Sequence, residues 1–188
     1  MIHNVSRFFL ASLLLLAVAA CSKHYKPGEL APNIDAGKTY YTQFSLFQEK
    51  NEFRTTNYRR GLLIPINTAA TLVAIDKKRI EVRLNKTGQP LTVENVQKHT
   101  NEDSQQAFKK IFGTQPVDLS RFPPGERENI LNGEVKRGMS RSAVLAAIGY
   151  PPASSTPSLK ADEWMYWASR YDRFIVRFRD ERVVEIVN

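Results

Sequence analysis

The chain has 188 residues, a formal net charge of +8 and a single cysteine. One cysteine excludes an internal disulfide, so the stability of the folded chain must come from packing. The length suits one domain or two small ones, and the basic balance favours an acidic partner, either anionic lipid headgroups or an acidic protein.

The N-terminal segment has the pattern of a secretory signal. Arg7 is the only Lys or Arg before Cys21, and the apolar run that follows it is too short to span a membrane. The sequence VAAC at 18–21 resembles a bacterial lipobox. We therefore predict a lipoprotein signal peptide over 1–20 and covalent lipid, including palmitate, on Cys21. An ordinary signal peptide followed by a chance cysteine is the alternative.

The lipobox has consequences for chemistry and for location. An acylated Cys21 is neither a nucleophile nor a metal ligand. Ser22 stands where a signal for inner-membrane retention usually has Asp, so the resemblance implies the outer membrane, with the folded part facing the periplasm and no nucleic-acid partner. Prolines and glycines then predict that 21–38 forms a lipidated, flexible tether.

A β-rich module is predicted over 39–98. In 79–84, three apolar side chains alternate with charged ones, as a half-buried strand requires. Pro65 favours an edge strand or a bulge. Successive short strands indicate a small meander or an open barrel, for which an SH3-like fold is the suggested form. The predicted strands are 39–47, 61–66, 70–75, 79–84 and the run that begins at Pro90.

A helical connector is predicted over 99–132. Asn101 is expected to cap a helix that runs to about Phe112 and stops at Gly113. A shorter helix is expected to follow the Pro-Pro break, over 124–131.

The C-terminal part is predicted to be a short helix on a three-stranded antiparallel meander. Ser140 is expected to cap a helix that ends at Ile148, before Gly149. A helix this short needs tertiary support, and the strand-like segments downstream provide it. The predicted fold class is therefore α+β. The predicted strands are 164–167, 173–178 and 182–187.

Several motifs of this part resemble the SmpA/OmlA (BamE-like) family of outer-membrane lipoproteins. They are VKRGMS at 135–140, GYP at 149–151, WMY at 164–166 and VRFRDERV at 176–183. The resemblance covers 133–187 and implies a BamE-like αα-βββ module over 133–188, with a binding role and no catalytic motif. The Gly-Tyr-Pro-Pro and Trp-x-Tyr-Trp signatures also resemble those of a recurring group of proteobacterial lipoproteins.

Two clusters of aromatic and basic side chains are candidates for an interface, because aromatics and arginine concentrate at binding hot spots. In the first cluster, Tyr166 is predicted to oppose the two tryptophans, and the rings either serve the core alone or also form an interface. The second cluster is either a solvated turn or a contact for acidic lipid or protein. The candidates are Trp164, Tyr166, Trp167, Arg170, Tyr171 and Arg173 in the first cluster, and Tyr58, Arg59 and Arg60 in the second.

No motif for catalysis or metal binding stands out. His99 has no nearby partner at metal-ligand spacing and is expected on a surface loop. Asp162 and Glu163 are expected in a solvated turn, and Ser154 lacks a nucleophile elbow. We therefore expect no enzyme, no metal and no cofactor besides the lipid.

The favoured hypothesis is a non-catalytic lipoprotein that binds other envelope proteins, as a structural or accessory subunit of outer-membrane biogenesis or secretion machinery. The alternative hypothesis is a periplasm-facing lipoprotein that binds a ligand or inhibits an enzyme.

Overall fold

Eleven strands and four α-helices form within residues 29–188, the part of the chain that the computed structural model describes. Among these residues, none of the helices has the length and apolar character needed to span a membrane. The predicted signal peptide, Cys21 and the start of the predicted tether lie outside the described residues. The strands are β1 (Thr39–Thr42), β2 (Leu46–Gln48), β3 (Glu52–Arg54), β4 (Leu62–Ile64), β5 (Ala69–Ile75), β6 (Arg79–Leu84), β7 (Pro90–Glu94), β8 (Phe112–Gly113), β9 (Glu163–Trp167), β10 (Arg173–Arg179) and β11 (Arg182–Val187). The helices are α1 (Gln97–Thr100), α2 (Ser104–Ile111), α3 (Pro124–Leu131) and α4 (Arg141–Ile148).

The β-rich part contains a curled, mixed six-stranded sheet in the order β3-β7-β6-β5-β1-β8, beside a two-stranded sheet of β2 and β4. Only β3 and β7 pair in parallel within the larger sheet. In β6 the side chains of Ile80, Val82 and Leu84 are buried, as their alternation predicts. The strands β5 and β6 form a hairpin, in whose turn Asp76 Oδ1 accepts hydrogen bonds of 2.7 Å from the backbone N–H groups of Lys78 and Arg79.

The helix expected to begin at Asn101 begins later. Asp103 is the N-cap of α2, where it forms a capping box with Gln106: each side chain accepts a hydrogen bond from the other's backbone N–H. Asn101 instead ends α1, in the left-handed conformation with φ of 58°. Both residue types cap helices, and the partner three residues downstream favours Asp103 for the start.

The C-terminal part has α3 and α4 packed with an antiparallel three-stranded sheet in the order β11-β10-β9. This confirms the predicted α+β class and the predicted meander. Ser140 caps α4, since its Oγ accepts a hydrogen bond of 3.2 Å from the N–H of Ala143. The apolar side of α4 faces the core, where Val144 is fully buried with Val176 of β10.

Two hydrophobic cores divide the described residues, and their boundaries cross the predicted segments. The first core holds the β-rich part together with α2. The second holds α3, α4 and β9–β11 together with Tyr58 and Ile66 from the β-rich part. Within the described part of the predicted tether, Ile34 is buried in the first core, and Leu30 packs against that core.

Candidate functional site

The aromatic residues of β9 divide between the core and the surface. Trp164 and Tyr166 are completely buried and lie on the same face, because residues two apart on a strand point the same way. The predicted opposition of Tyr166 to both tryptophans is therefore wrong. Trp167 alone lies on the other face, where it is partly exposed. The first cluster thus contributes both to the core and to a surface.

Tyr58, from the second cluster, is also a core residue and joins the two parts of the fold. Its hydroxyl donates a hydrogen bond of 3.0 Å to the carbonyl oxygen of Tyr150, just beyond α4. Tyr166 donates one of 3.2 Å to the carbonyl oxygen of Gly149, and the rings of Tyr58 and Tyr166 meet edge to face at 4.8 Å. Burial raises the pKa of both phenols, with a smaller contribution from Tyr58 in the case of Tyr166.

Alkaline stability is expected to depend on these phenols. In the unfolded chain tyrosines ionise near pH 10, whereas the fold holds both buried phenols neutral. Their contribution is therefore complete below pH 10 and is lost as the pH rises above it, by about 1.4 kcal/mol per pH unit for each phenol. In urea unfolding experiments from pH 8 to pH 11, the free energy of unfolding should decline less steeply with pH for Tyr58→Phe than for wild type. Tyr171→Phe, on a ring that is 82% exposed, should decline as wild type does. Equal slopes for Tyr58→Phe and wild type would contradict the prediction.

A groove of about 790 Å³ lies between the β-rich part and the loop that follows β9. It is predominantly basic, with four cationic side chains and Glu49 as the one acid among its lining residues. Trp167 and His99 add aromatic surface. We name this feature the basic groove. Its cationic residues are Arg54, Arg60, Lys98 and Arg170.

The basic groove joins both candidate clusters, which lie more than a hundred positions apart in the sequence. Arg60 comes from the second cluster, and Trp167 and Arg170 come from the first. Lys98, from α1, also lines the groove but was not predicted. No local pattern identifies Lys98, because its role depends on where α1 packs in the fold.

The cations of the basic groove are only partly neutralised. Arg54 pairs with Glu94 at 3.1 Å, and Arg60 pairs with Glu49 at 3.0 Å. Within residues 29–188, neither Lys98 nor Arg170 forms an ion pair with an acid. These two residues give the groove an excess of positive charge that is open to an external anion.

The remaining candidates lie beside the groove. The guanidinium carbon of Arg173 lies 4.5 Å from the centroid of the Trp167 ring, which it covers. That of Arg59 lies 3.6 Å from the centroid of Phe174. Tyr171 is highly exposed, and the guanidinium carbon of Arg170 lies 5.4 Å from its ring centroid. These contacts extend the basic and aromatic character beyond the groove itself.

His99 belongs to α1 rather than to a loop, and its ring forms part of the groove wall. Its Nδ1 lies 3.0 Å from Ser154 Oγ, and its ring centroid lies 5.6 Å from that of Trp167. Burial, followed by the nearby charges of Lys98 and Arg173, lowers the pKa of His99. The ring is therefore predominantly neutral at pH 7.

The polar residues considered for catalysis have structural partners. Asp162 pairs with Arg141, and Glu163 pairs with Arg177. Ser154 contacts His99, but in the part of the chain that the structure describes no carboxylate hydrogen-bonds to that ring to orient it as a base. Across residues 29–188, no three His, Cys, Asp or Glu side chains are grouped so that they could hold a metal ion.

Comparison with protein-family models, curated proteins and solved structures gives no match to this chain. The basic groove therefore has to be interpreted from its own geometry and charge.

Proposed function

We propose that this chain is a non-catalytic, lipid-anchored protein of the outer membrane whose basic groove binds an acidic segment of another envelope protein. It acts as a structural or accessory subunit of a larger assembly. The supporting observation is the excess charge of Lys98 and Arg170 beside the exposed surface of Trp167. Arginine and aromatic side chains are enriched in protein interfaces, and complementary charge accelerates association.

The shape of the site favours a polypeptide over a membrane surface as the partner. The cations line a concave groove between two parts of the fold, which an extended segment can enter and a planar array of headgroups cannot follow. The neutral His99 ring and Trp167 provide surface for the uncharged parts of such a segment.

The arrangement of the C-terminal part supports a BamE-like module. Within 133–188, α4 precedes a three-stranded meander, and the other helix of the order that the SmpA/OmlA resemblance implies is α3 (Pro124–Leu131), which lies just before that range. We propose this relationship for 133–188, and an SH3-like open barrel for the curled sheet of the β-rich part. Both proposals rest on element order and topology.

Lipid attachment is tested by metabolic labelling. Cells that express the chain and grow with labelled palmitate are expected to incorporate the label into wild type and not into Cys21→Ser. The labelled protein should be in the outer-membrane fraction. An unlabelled wild-type chain would refute the anchor and leave the interpretation of the basic groove to its own test.

Binding in the basic groove is tested by reversing its two unpaired charges. A fluorescein-labelled peptide of Glu and Gly is expected to bind wild type and to bind Lys98→Glu/Arg170→Glu at least about tenfold more weakly, because two attractions become repulsions. Fluorescence anisotropy measures the affinity, which should also fall as salt is added.

Lys77→Glu/Lys86→Glu is the matched control. It makes the same change in net charge at two exposed turn lysines that do not line the groove. It is expected to lose much less affinity than the groove variant. Equal losses in the two variants would indicate that net charge, and not the groove, attracts the peptide, and would overturn the proposal.

A further inference from the structure

A second cavity, of about 210 Å³, lies next to the basic groove, and the His99 side chain lines both. We name it the apolar cavity. Its walls come from both cores: Phe44, Phe53 and Ile111 belong to the first, and Tyr58 belongs to the second. The cavity therefore exists only because the two parts of the fold pack against each other.

Apart from the exposed Tyr150, the polar side chains that line the apolar cavity have partners within the protein. Each of these makes at least one hydrogen bond or ion pair, so the cavity offers no unpaired charge to a ligand. A ligand that enters it must therefore be apolar where it contacts these walls. The pairs are Thr55 with the N–H of Val96, Tyr58 with the carbonyl of Tyr150, His99 with Ser154, Thr100 with Asn95, Glu102 with Lys110, and Thr156 with the N–H of Met165.

The size of the cavity limits what it can hold. An apolar cavity of about 150 Å³ accepts a benzene molecule, and this one, at about 210 Å³, is somewhat larger. It suits one aromatic or branched aliphatic side chain, and it is too small for a whole membrane acyl chain. Pro151 and Pro152 form part of the wall and give it a stiff backbone.

The surroundings of the cavity indicate what the apolar group is attached to. Tyr150 and Leu159 line the cavity and are also exposed, with 36% and 38% of their surfaces accessible. On the far side of His99 lies the basic groove, with the unpaired Lys98 and Arg170. An apolar group held here is thus close to cations, which complement negative charges next to it along the same molecule.

We propose that the apolar cavity receives one large apolar side chain, such as Phe or Leu, from the same acidic segment that the basic groove binds. This inference rests on the proposed function and adds a sequence requirement to it. The partner segment combines acidic residues with a single bulky apolar anchor, and the buried anchor contributes much of the binding free energy, as hot-spot residues do.

The test compares two peptides on the full chain. One is an acidic peptide of Glu and Gly with a single Phe, and the other has Ala in place of that Phe. Burying the ring is expected to strengthen binding by roughly tenfold to a hundredfold, as measured by isothermal titration calorimetry. Equal affinities would overturn the cavity proposal and leave the groove intact. Absence of binding by either peptide would overturn both.

A filled cavity gives the second arm of the test. Ala153 is a half-buried turn residue that lines the cavity, so Ala153→Leu is expected to occupy the space and abolish the preference for Phe. Ala153→Ser has nearly the same size as wild type and should retain the preference. A preference that persists in Ala153→Leu would place the Phe side chain elsewhere and overturn the proposal.

Vesicles test the competing occupant. Phosphatidylglycerol vesicles are expected to bind Ala153→Leu and wild type equally, since an acyl chain does not enter the cavity. If vesicles displace the Phe peptide and bind Ala153→Leu several-fold more weakly than wild type, the occupant is a lipid tail and the proposal is overturned.

Discussion

Replacing Arg141 with methionine is expected to lower the free energy of unfolding by about 3 kcal/mol. The Arg141 side chain is only 10% exposed, and its guanidinium group has several partners. It donates hydrogen bonds to the carbonyl oxygens of Leu159, at 3.1 Å, and Ala161, at 2.6 Å. The guanidinium carbon of Arg141 lies 4.4 Å from the centroid of the Phe178 ring. Methionine retains part of the packing and leaves both carbonyls without this donor. Urea unfolding measures the difference.

The carboxylate partners of Arg141 provide the control. Asp162 and Glu181 pair with it at 3.1 Å and 3.0 Å, but their side chains are 83% and 79% exposed. Water can solvate these carboxylates when the pair is broken, so exposed pairs contribute little. Asp162→Asn and Glu181→Gln are each expected to cost less than about 1 kcal/mol. If either carboxylate variant lost as much free energy of unfolding as Arg141→Met, the ion pairs, and not the hydrogen bonds to the carbonyls, would account for the stabilisation by Arg141.

Gly149→Ala is expected to lower the free energy of unfolding by about 3 to 4 kcal/mol. Gly149 has φ of 83° and ψ of −168°, a conformation that is essentially restricted to glycine. A Cβ atom there would lie 2.5 Å from Cε2 and 2.7 Å from Cδ2 of Phe44. The substitution therefore combines backbone strain with a steric clash between the end of α4 and the first core. Thermal or urea unfolding gives the measurement.

Gly138→Ala separates the two causes. Gly138 also has a positive φ, of 87°, but a Cβ atom would have no neighbour within 4 Å. Gly138→Ala is therefore expected to lower the free energy of unfolding by about 1 to 2 kcal/mol, from backbone strain alone. Combining Gly149→Ala with Phe44→Leu should cost less than the sum of the single changes, because the smaller side chain relieves the clash. A loss in Gly149→Ala no larger than that in Gly138→Ala would contradict the close approach to Phe44.

The local sequence predicts most of the elements, because their signals lie within a few residues. Alternation identifies β6 and β10, and the helix α3 has the predicted limits. The start of α2 was misplaced because Asn101 and Asp103 are both capping residues, and the choice depends on a side-chain contact with Gln106. The error on β9 had a different origin, since the strand period already puts Trp164 and Tyr166 on one face.

The candidate site was only partly predictable, because its parts are distant in sequence. The basic and aromatic clusters containing Arg60 and Trp167 were recognised by residue type. Their meeting in one groove depends on how the two cores pack. The hydrogen bond from Tyr58 to Tyr150 spans 92 positions, and no pattern of spacing encodes it. The same holds for Lys98 and for the apolar cavity.

The packing of Leu30 against the first core limits the distance between Cys21 and the folded part of the chain. Only nine residue steps separate it from Cys21, and even a fully extended chain of that length covers about 30 Å. A lipid anchor at Cys21 would therefore keep the folded part of the chain close to the lipid headgroups. With that proposed anchor, a partner would meet this protein near the bilayer.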